Sequence, residues 1–283
     1  MTWLTFSLLS LTSFVIYDLA GRYLATKSEN PRAFAAILNF CVAAMSPIIF
    51  LIDPKMPDPL NPKMVVLAII GLTLWALMGR FEYYAKKYTE ASVLAITAKI
   101  APVITFILGV VFLKESFTSS KIAGIVLIIF ANLLLYLGQK RSAVISAKGM
   151  KYTGIIVAIL SFAWLFDAIN VRNFGVGTFA FLSYFAPFVL CAFFPPLKIK
   201  EIKQELILTP WWQFLVLGVF GLAGYANLLK AYTLGEASTI TPIITSTTPF
   251  VVLFGVIILG ERDNLFRKIA ASIIALVAIY LMK

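Results

Sequence analysis

Several charged residues lie inside long apolar stretches, where an ionised side chain needs a partner or a cavity. Four of them are of particular interest: Lys99, Asp18, Asp167 and Arg80. A charge within the hydrocarbon of a membrane is costly and is normally tolerated only facing a cavity or a partner. A buried cation suits a carboxylate or phosphate ligand, and a buried carboxylate suits a cation or a transferable proton. These four residues are therefore the first candidates for substrate binding or coupling.

Each of these charges also has a structural interpretation. Lys99 could form an ion pair with a neighbouring helix, and Asp18 could pair with Arg22 four residues later. No basic residue stands four positions after Asp167, which favours a functional role for that carboxylate. Arg80 could face the same cavity as Lys99 or extend toward the membrane surface.

Aromatic and polar residues on the same apolar stretches extend the candidate set. The ring-bearing candidates, which offer faces for a cationic ligand, are Trp75, Trp164, Tyr184 and Tyr225. Asn227 and Thr245 offer hydrogen-bonding groups. The alternative for all of them is packing, interfacial anchoring or hydrogen bonding between helices.

The sequence argues against an enzyme, a metal site or a bound cofactor. Histidine is absent, which excludes histidine triads, zinc motifs of the HExxH kind and histidine proton relays. The chain contains neither a nucleophile-elbow motif nor a phosphate-binding loop motif. Its two cysteines, Cys41 and Cys191, stand alone in separate apolar stretches and are predicted to be small buried residues.

The composition is that of an integral membrane protein. Of the 283 residues, 61% are hydrophobic and 13% are charged, and the mean hydropathy is +0.94. Soluble domains carry roughly 25% charged residues. The net charge of +11 comes mostly from short loops between apolar stretches, so we interpret it as a topology signal and predict no nucleic-acid partner. The bilayer is the predicted partner, and the sequence leaves monomer and homodimer both open.

Ten helical spans, joined mostly by short loops, predict an all-α membrane protein. The predicted spans are residues 3–24, 32–52, 63–87, 91–113, 119–138, 152–171, 178–197, 210–233, 237–259 and 265–282. The polar, basic stretch 139–151 is predicted to be a cytoplasmic linker. It divides the chain into units 1–138 and 152–283.

The two units are predicted to be repeats of each other. Residues 90–115 read EASVLAITAKIAPVITFILGVVFLKE, and residues 236–261 read EASTITPIITSTTPFVVLFGVIILGE. The two stretches align without a gap, and the identical residues of the first copy are Glu90, Ala91, Ser92, Gly109, Val110, Leu113 and Glu115. Because each unit has an odd number of spans, the second enters the membrane from the opposite side. Inverted repeats of this kind are characteristic of secondary transporters, with the substrate site near the midplane.

The distribution of basic residues predicts the orientation. Most loop lysines and arginines follow the first, third, fifth, seventh and ninth spans. Cytoplasmic loops carry the excess of basic residues. Both termini are therefore predicted to be extracytoplasmic, in a multi-pass protein of the plasma (inner) membrane.

The chain resembles the drug/metabolite transporter superfamily, of the EamA type. The resemblance rests on the two EAS…E stretches and on RFEYYAKKYTEAS and ANLLKAYTLGEAS before them. It implies a central cavity lined by the first, third, fourth, sixth, eighth and ninth helices, gated by the second and seventh. It also implies alternating access, often with outward movement of amino acids or other metabolites.

The predicted function is secondary active transport of small polar metabolites such as amino acids, by an exporter or exchanger, with protons as a candidate coupling ion. The alternatives are exchange of phosphorylated metabolites, transport of a quaternary ammonium such as choline, and a non-transporting scaffold or channel. The resemblance places basic residues on the fourth and ninth helices of phosphate exchangers. Lys99 fits the first position, but Thr245 stands at the second, which argues against a phosphate substrate.

Overall fold

The computed structural model describes residues 1–25, 27–53, 61–88, 97, 100–137, 147–250 and 265–282. Its main helices, in chain order, are α1 Trp3–Ala25, α2 Pro31–Met45, α3 Pro62–Tyr88, α4 Ile100–Phe112, α5 Ser119–Leu137, α6 Ala147–Phe174, α7 Val176–Phe193, α8 Trp211–Leu234, α9 Ala237–Thr245 and α10 Leu265–Leu281. A 3-10 turn, Ser46–Ile48, and one further helical turn, Ile49–Ile52, extend α2. The described residues contain no β-strand, so the all-helical prediction is confirmed.

Several helices have the length and composition of membrane spans. About 20 apolar residues are needed to cross the hydrocarbon of a bilayer. Five described stretches meet that requirement: Trp3–Gly21, Pro31–Leu51, Gly149–Phe174, Val176–Phe193 and Trp211–Leu234. Shorter apolar helical stretches are Pro62–Met78, Ile100–Phe112 and Ser119–Leu135. The chain is therefore a helical membrane protein, as its composition predicts.

Two elements differ from the sequence prediction. Helix α6 begins at Ala147, so the described end of the predicted linker 139–151 is already helical. A short helix, Ile199–Leu208, lies where a loop was expected. Its IKEIKQELIL sequence is too polar and too short for a span, and its first turn is fixed by the Lys198 amide donating to Glu201 over 2.7 Å. Its buried Glu205 accepts a hydrogen bond from the Asn30 amide, which ties this helix to the start of α2.

The closest helix pairings join the first half of the chain to the second. Helix α3 packs along α6, and α1 packs along α8. The pairs α2–α7, α4–α9 and α5–α10 are also in contact. Suppose that each helix of the first half is exchanged for its counterpart in the second half, α1 for α6 and so on to α5 for α10. The α3–α6 contact then becomes the α8–α1 contact, and the other three contacts stay the same. The substrate-site candidates on α3, α6 and α8 therefore lie where the two halves meet.

Small residues bring these helices together. Ala131 of α5 packs with Ala271 and Ala275 of α10. On α8, a Cβ added to Gly224 would lie 2.9 Å from the Phe14 ring of α1, so only glycine permits this approach. Small interfacial residues of this kind let helix backbones approach closely inside a membrane, where helix association depends on packing rather than on the hydrophobic effect.

Candidate functional site

Asp167 is the most deeply buried carboxylate among the sequence-predicted site residues. It lies on α6 with no exposed surface. Its Oδ1 accepts a hydrogen bond of 2.8 Å from the indole nitrogen of Trp75 on α3. Its Oδ2 has no hydrogen-bond partner within the described part of the chain. One carboxylate oxygen is thus fixed in place, and the other is left without a donor.

Three aromatic side chains surround this carboxylate, and we call Trp75, Tyr184 and Tyr225 the aromatic box. The phenol of Tyr225 lies beside the Asp167 carboxyl. The Trp75 and Tyr225 rings are 6.0 Å apart at 83°, and the Tyr184 and Tyr225 rings are 5.5 Å apart at 84°. In such edge-to-face pairs, the edge of one ring lies against the face of the other. The box therefore brings together α3, α6, α7 and α8.

The hydroxyl groups of the box have partners in addition to Asp167. The Tyr225 hydroxyl donates to the Ser183 hydroxyl over 2.9 Å, and the Tyr184 hydroxyl donates to the Gly221 carbonyl over 3.2 Å. Gly221 also leaves room for α1, because a Cβ there would lie 3.0 Å from the Tyr17 ring. These bonds hold the rings in place, and the Tyr225 hydroxyl lies close to both the Ser183 hydroxyl and the Asp167 carboxyl.

A second buried acceptor lies one helical turn after Asp167. The Asn170 amide nitrogen donates to the Leu67 carbonyl of α3 over 3.2 Å, and its Oδ1 has no partner among the described residues. Asn170 is fully buried. Unpartnered buried acceptors are uncommon in native proteins and call for an explanation such as a ligand, a proton or water. The face of α6 toward α3 therefore presents two oxygens that lack donors.

The remaining predicted residues lie in different places. Trp164 is half-buried on α6, one turn before Asp167, and Asp18 is half-buried on α1. The Asn227 amide donates within its own helix to the Ala223 carbonyl over 2.8 Å. The Thr245 hydroxyl likewise donates to a carbonyl one turn earlier in α9, over 2.8 Å. These hydrogen bonds of Asn227 and Thr245 therefore stay within their own helices.

Two predicted cations cannot be assigned to this site from the structure. Lys99 lies outside the described residues, and so does the side chain of Arg80, whose backbone belongs to α3. The described lysine of the eighth helix, Lys230, forms an ion pair of 2.8 Å with Asp53 at the end of the α2 extension. The proposed role of Lys99 and Arg80 toward an anionic substrate group stays a prediction.

The shared glutamates of the two EAS…E stretches form a contact that the sequence did not reveal. The two carboxylate oxygens of Glu115, just past α4, accept bonds of 2.8 Å and 2.7 Å from the backbone amides of Ala237 and Ser238. These amides open α9 and have no partner within that helix. A carboxylate at a helix N-terminus is also favoured by the helix dipole. The first copy of the repeat thus caps the second.

Glu236, the residue before α9, makes a second contact with the segment that follows α4. Its carboxylate accepts from the Ser116 amide over 3.2 Å and from the Ser116 hydroxyl over 2.9 Å, and it pairs with Lys121. Burial raises the pKa of the Glu236 carboxyl, but the Lys121 and Ser116 interactions outweigh burial and hold this pKa below its ordinary value. We call Glu115, Ser116, Lys121 and Glu236 the clasp. It joins the α4–α5 and α8–α9 connections.

Comparison with known proteins gives the family. The sequence model of the EamA-like transporter family matches residues 1–137 and again residues 148–283. A protein of Archaeoglobus fulgidus named an uncharacterized transporter is 24% identical over 266 residues, 89% of this chain and 88% of that protein. An uncharacterized protein of Methanocaldococcus jannaschii is 30% identical over 128 residues, which are 45% of this chain and 93% of that protein.

The fold is also found in a solved crystal structure. That protein superposes with a TM-score of 0.77 over 99% of this chain and 95% of its own, at 14% sequence identity. At this identity the likeness shows the fold alone. The resemblance predicted from the EAS…E stretches is confirmed by the family match, which covers both halves of the sequence. Matches over nearly the whole length of a helical membrane protein show that the chain belongs to the EamA-like transporter family.

Proposed function

We propose that this protein is a secondary active transporter, an exporter or exchanger of small polar metabolites such as amino acids, and not an enzyme. The substrate binds at Asp167 between the two halves and is exposed to one side of the membrane at a time. The observation that carries the proposal is the fully buried Asp167 carboxylate, one of whose oxygens has no hydrogen-bond partner among the residues that the structure describes. Intramembrane carboxylates mark substrate and ion pathways, whereas a structural carboxylate is normally satisfied on both oxygens.

The two halves act as inverted five-helix repeats, 1–138 and 152–283, within a ten-span bundle. The family model's two matches, each about half the chain long, support this division. The helix pairing supports it too, because α3–α6 and α1–α8 are the contacts that a twofold axis in the membrane plane would exchange. The Methanocaldococcus jannaschii relative is about as long as one repeat, as expected if a single unit can exist by itself.

The basic loops favour extracytoplasmic termini in a plasma membrane. In that orientation the clasp lies at the extracytoplasmic end, where α4 ends and α9 begins. Lys230 and Asp53 tie α8 to the α2 extension near the same end. These bonds between the halves close the extracytoplasmic side of the substrate path in this conformation. Opening toward that side then requires the clasp to break.

The substrate is proposed to meet opposite charges at its two ends. Asp167 holds a cationic group or a coupling proton, and these two uses exclude each other. Lys99 and Arg80 are proposed for an anionic group, and Asp18 for a second cation or proton site on α1. A phosphorylated substrate is less well supported, because Thr245 stands where a second basic residue would be needed.

The test is counterflow with purified protein in liposomes. Vesicles preloaded with an unlabelled amino acid should accumulate the same labelled compound faster than empty vesicles, because a carrier shows trans-stimulation and a channel or scaffold does not. Asp167→Asn should abolish this stimulation, whereas Glu29→Gln, which removes an exposed carboxylate outside the site, should retain it. Lys99→Ala tests the anion-binding role separately. Unstimulated flux, or none across a panel of amino acids, amines and phosphorylated metabolites, would refute the proposal.

A further inference from the structure

We infer that the aromatic box and Asp167 form a binding site for an organic cation. The charged nitrogen of an amine or alkylammonium group lies against Asp167, and its carbon substituents lie against the rings of Trp75, Tyr184 and Tyr225. This inference rests on the proposed function, because it names the chemical class of the transported substrate. It concerns only the group that Asp167 recognises, so the same substrate can carry an anionic group elsewhere.

The first argument is charge balance. A carboxylate with no exposed surface is costly to ionise unless a positive charge lies beside it. The described basic residues near the ends of α6 and α8 are engaged elsewhere. Arg172 donates to two backbone carbonyls at the end of α8, each over 3.1 Å, and Lys230 pairs with Asp53. The Asp167 carboxyl therefore either takes up a proton or is matched by a cation, and a ligand can supply that cation.

The second argument is the hydrogen-bonding inventory of the site. Asp167 Oδ2 and Asn170 Oδ1 are acceptors that have no hydrogen-bond donor among the described residues. The Tyr184 hydroxyl donates to Gly221, and the Tyr225 hydroxyl donates to Ser183 while also lying close to the Asp167 carboxyl. The site thus presents acceptors and ring faces, while its donors are occupied. An anion or an acceptor-rich neutral molecule would meet repulsion here, and a positively charged nitrogen would complete the site.

The third argument is the arrangement of the rings. Cations bind favourably over aromatic faces within about 6 Å of the ring centroid, and alkylated ammonium groups are recognised by clusters of such rings. Tyr225 stands nearly perpendicular to both Trp75 and Tyr184, with centroids 6.0 Å and 5.5 Å away, so the three rings form one aromatic cluster whose faces point in different directions. Trp75 and Tyr184 are half-buried while Asp167 is not exposed, so movement of these two rings would admit a ligand.

The experiment is calorimetric titration of the full chain in detergent with three small probes. Choline and ethanolamine supply an alkylated and a protonated nitrogen, and 3,3-dimethylbutan-1-ol is the uncharged isostere of choline. We expect at least one of the two cations to bind, and the neutral alcohol to bind at least about tenfold more weakly. In Asp167→Asn the cation should bind about 100-fold more weakly, because its buried counter-ion is gone.

Matched variants separate the contribution of the rings from that of the fold. Trp75→Leu should weaken cation binding about tenfold, since it removes a ring face. Phe162→Leu removes an exposed ring of α6 outside the box and should leave cation binding within about threefold. Asp53→Asn serves as a carboxylate control distant from the box. Thermal unfolding of every variant shows whether a loss of binding is a loss of fold.

Three outcomes would overturn the inference: neither cation binds, the alcohol binds as tightly as choline, or Asp167→Asn binds cations like the parent protein. These results are distinguishable from failure of the proposed function. Counterflow of a neutral or anionic metabolite without cation binding would leave the transporter proposal intact and remove only this inference. Cation binding without counterflow of any compound would support this inference and refute the transporter proposal.

Discussion

The aromatic box and the clasp both place buried or half-buried carboxylates where the two halves of the chain meet, but they differ in how those carboxylates are satisfied. In the clasp, each oxygen of Glu115 and Glu236 accepts at least one hydrogen bond. Beside the box, Asp167 has a hydrogen-bond donor on only one oxygen within the described part of the chain. Satisfied buried polar groups rigidify a fold, and an unsatisfied one is costly to keep. We therefore interpret the clasp as a contact that stabilises the fold, and Asp167 as a group that is available to a ligand.

The repeat makes the same distinction. Glu115 and Glu236 belong to the residues that the two EAS…E stretches share, and they connect the copies. Asp167 and Trp75 lie outside these two stretches. The glutamates common to both stretches therefore serve the contact between the halves, and the candidate site draws on other residues. The predictions below test whether stability and ligand binding can be changed independently at these two regions.

The largest expected effect is on ligand binding at the box. Asp167→Asn keeps the shape of the side chain and the acceptor for Trp75, but it removes the charge. Substrate binding should fall about 100-fold or more, while the midpoint of thermal unfolding stays unchanged or rises, because an unpartnered buried charge is lost. Titration and thermal unfolding of the same preparation measure both quantities. Undiminished binding, or marked destabilisation with Asp53→Asn unaffected, would show that Asp167 is a structural residue.

The next largest effect is on stability at the clasp. Glu115→Ala leaves the amides of Ala237 and Ser238 without acceptors, so the free energy of unfolding should fall by about 2–3 kcal/mol. Glu115→Gln retains one acceptor oxygen and should lose about half as much. Denaturation of the purified protein in detergent measures the difference. A Glu115→Ala variant as stable as the parent would show that the clasp contributes nothing to the fold.

A smaller effect is expected at the glycine beneath the clasp. A Cβ added to Gly109 would lie 2.7 Å from a Glu115 carboxylate oxygen. Gly109→Ala should therefore displace that carboxylate and destabilise the protein by about 1–2 kcal/mol. Gly154→Ala on α6 is the matched control, because no atom lies within 4 Å of its added Cβ. The control should be neutral or stabilising by about 0.5 kcal/mol. Equal effects of the two substitutions would contradict the proposed geometry.

The smallest effect concerns pH. The pKa of Glu236 is held below its ordinary value, so this residue stabilises the folded state above pH 4.5 and loses that contribution as pH falls through its folded pKa. The side chain is 38% exposed, so solvent screening limits the contribution to about 0.5 kcal/mol. Glu236→Gln should reduce the loss of thermal stability between pH 6 and pH 3. An identical pH profile in the parent and the variant would show that Glu236 is not coupled to folding.

The sequence predicted more of the fold than of the site. Long apolar stretches predict helices well, and α1, α3, α5, α8 and α10 begin within a residue or two of their expected positions. The short helix Ile199–Leu208 was missed, because its buried residue, Glu205, is polar and its partner Asn30 is far away in the chain. Helical patterning reports which residues are apolar, but it cannot show which distant segment will satisfy a polar one.

At the site, the residue types were predictable and their grouping was not. Asp167, Trp75 and Tyr225 were separate candidates on three helices, and their contact depends on how α3, α6 and α8 pack. The repeated glutamates were visible in the sequence, but the pairing of Glu115 with the opening of the other copy was not. It follows from the α4–α9 contact, which no local spacing reveals.

The most direct test of the account is to measure counterflow and thermal unfolding side by side for Asp167→Asn and Glu115→Ala. The account predicts opposite patterns. Asp167→Asn should lose trans-stimulated flux and keep its unfolding midpoint, whereas Glu115→Ala should lose stability and retain flux at temperatures where it is folded. If Asp167→Asn transports like the parent protein, or if the two variants lose flux and stability together, the assignment of Asp167 to substrate and of Glu115 to architecture is wrong.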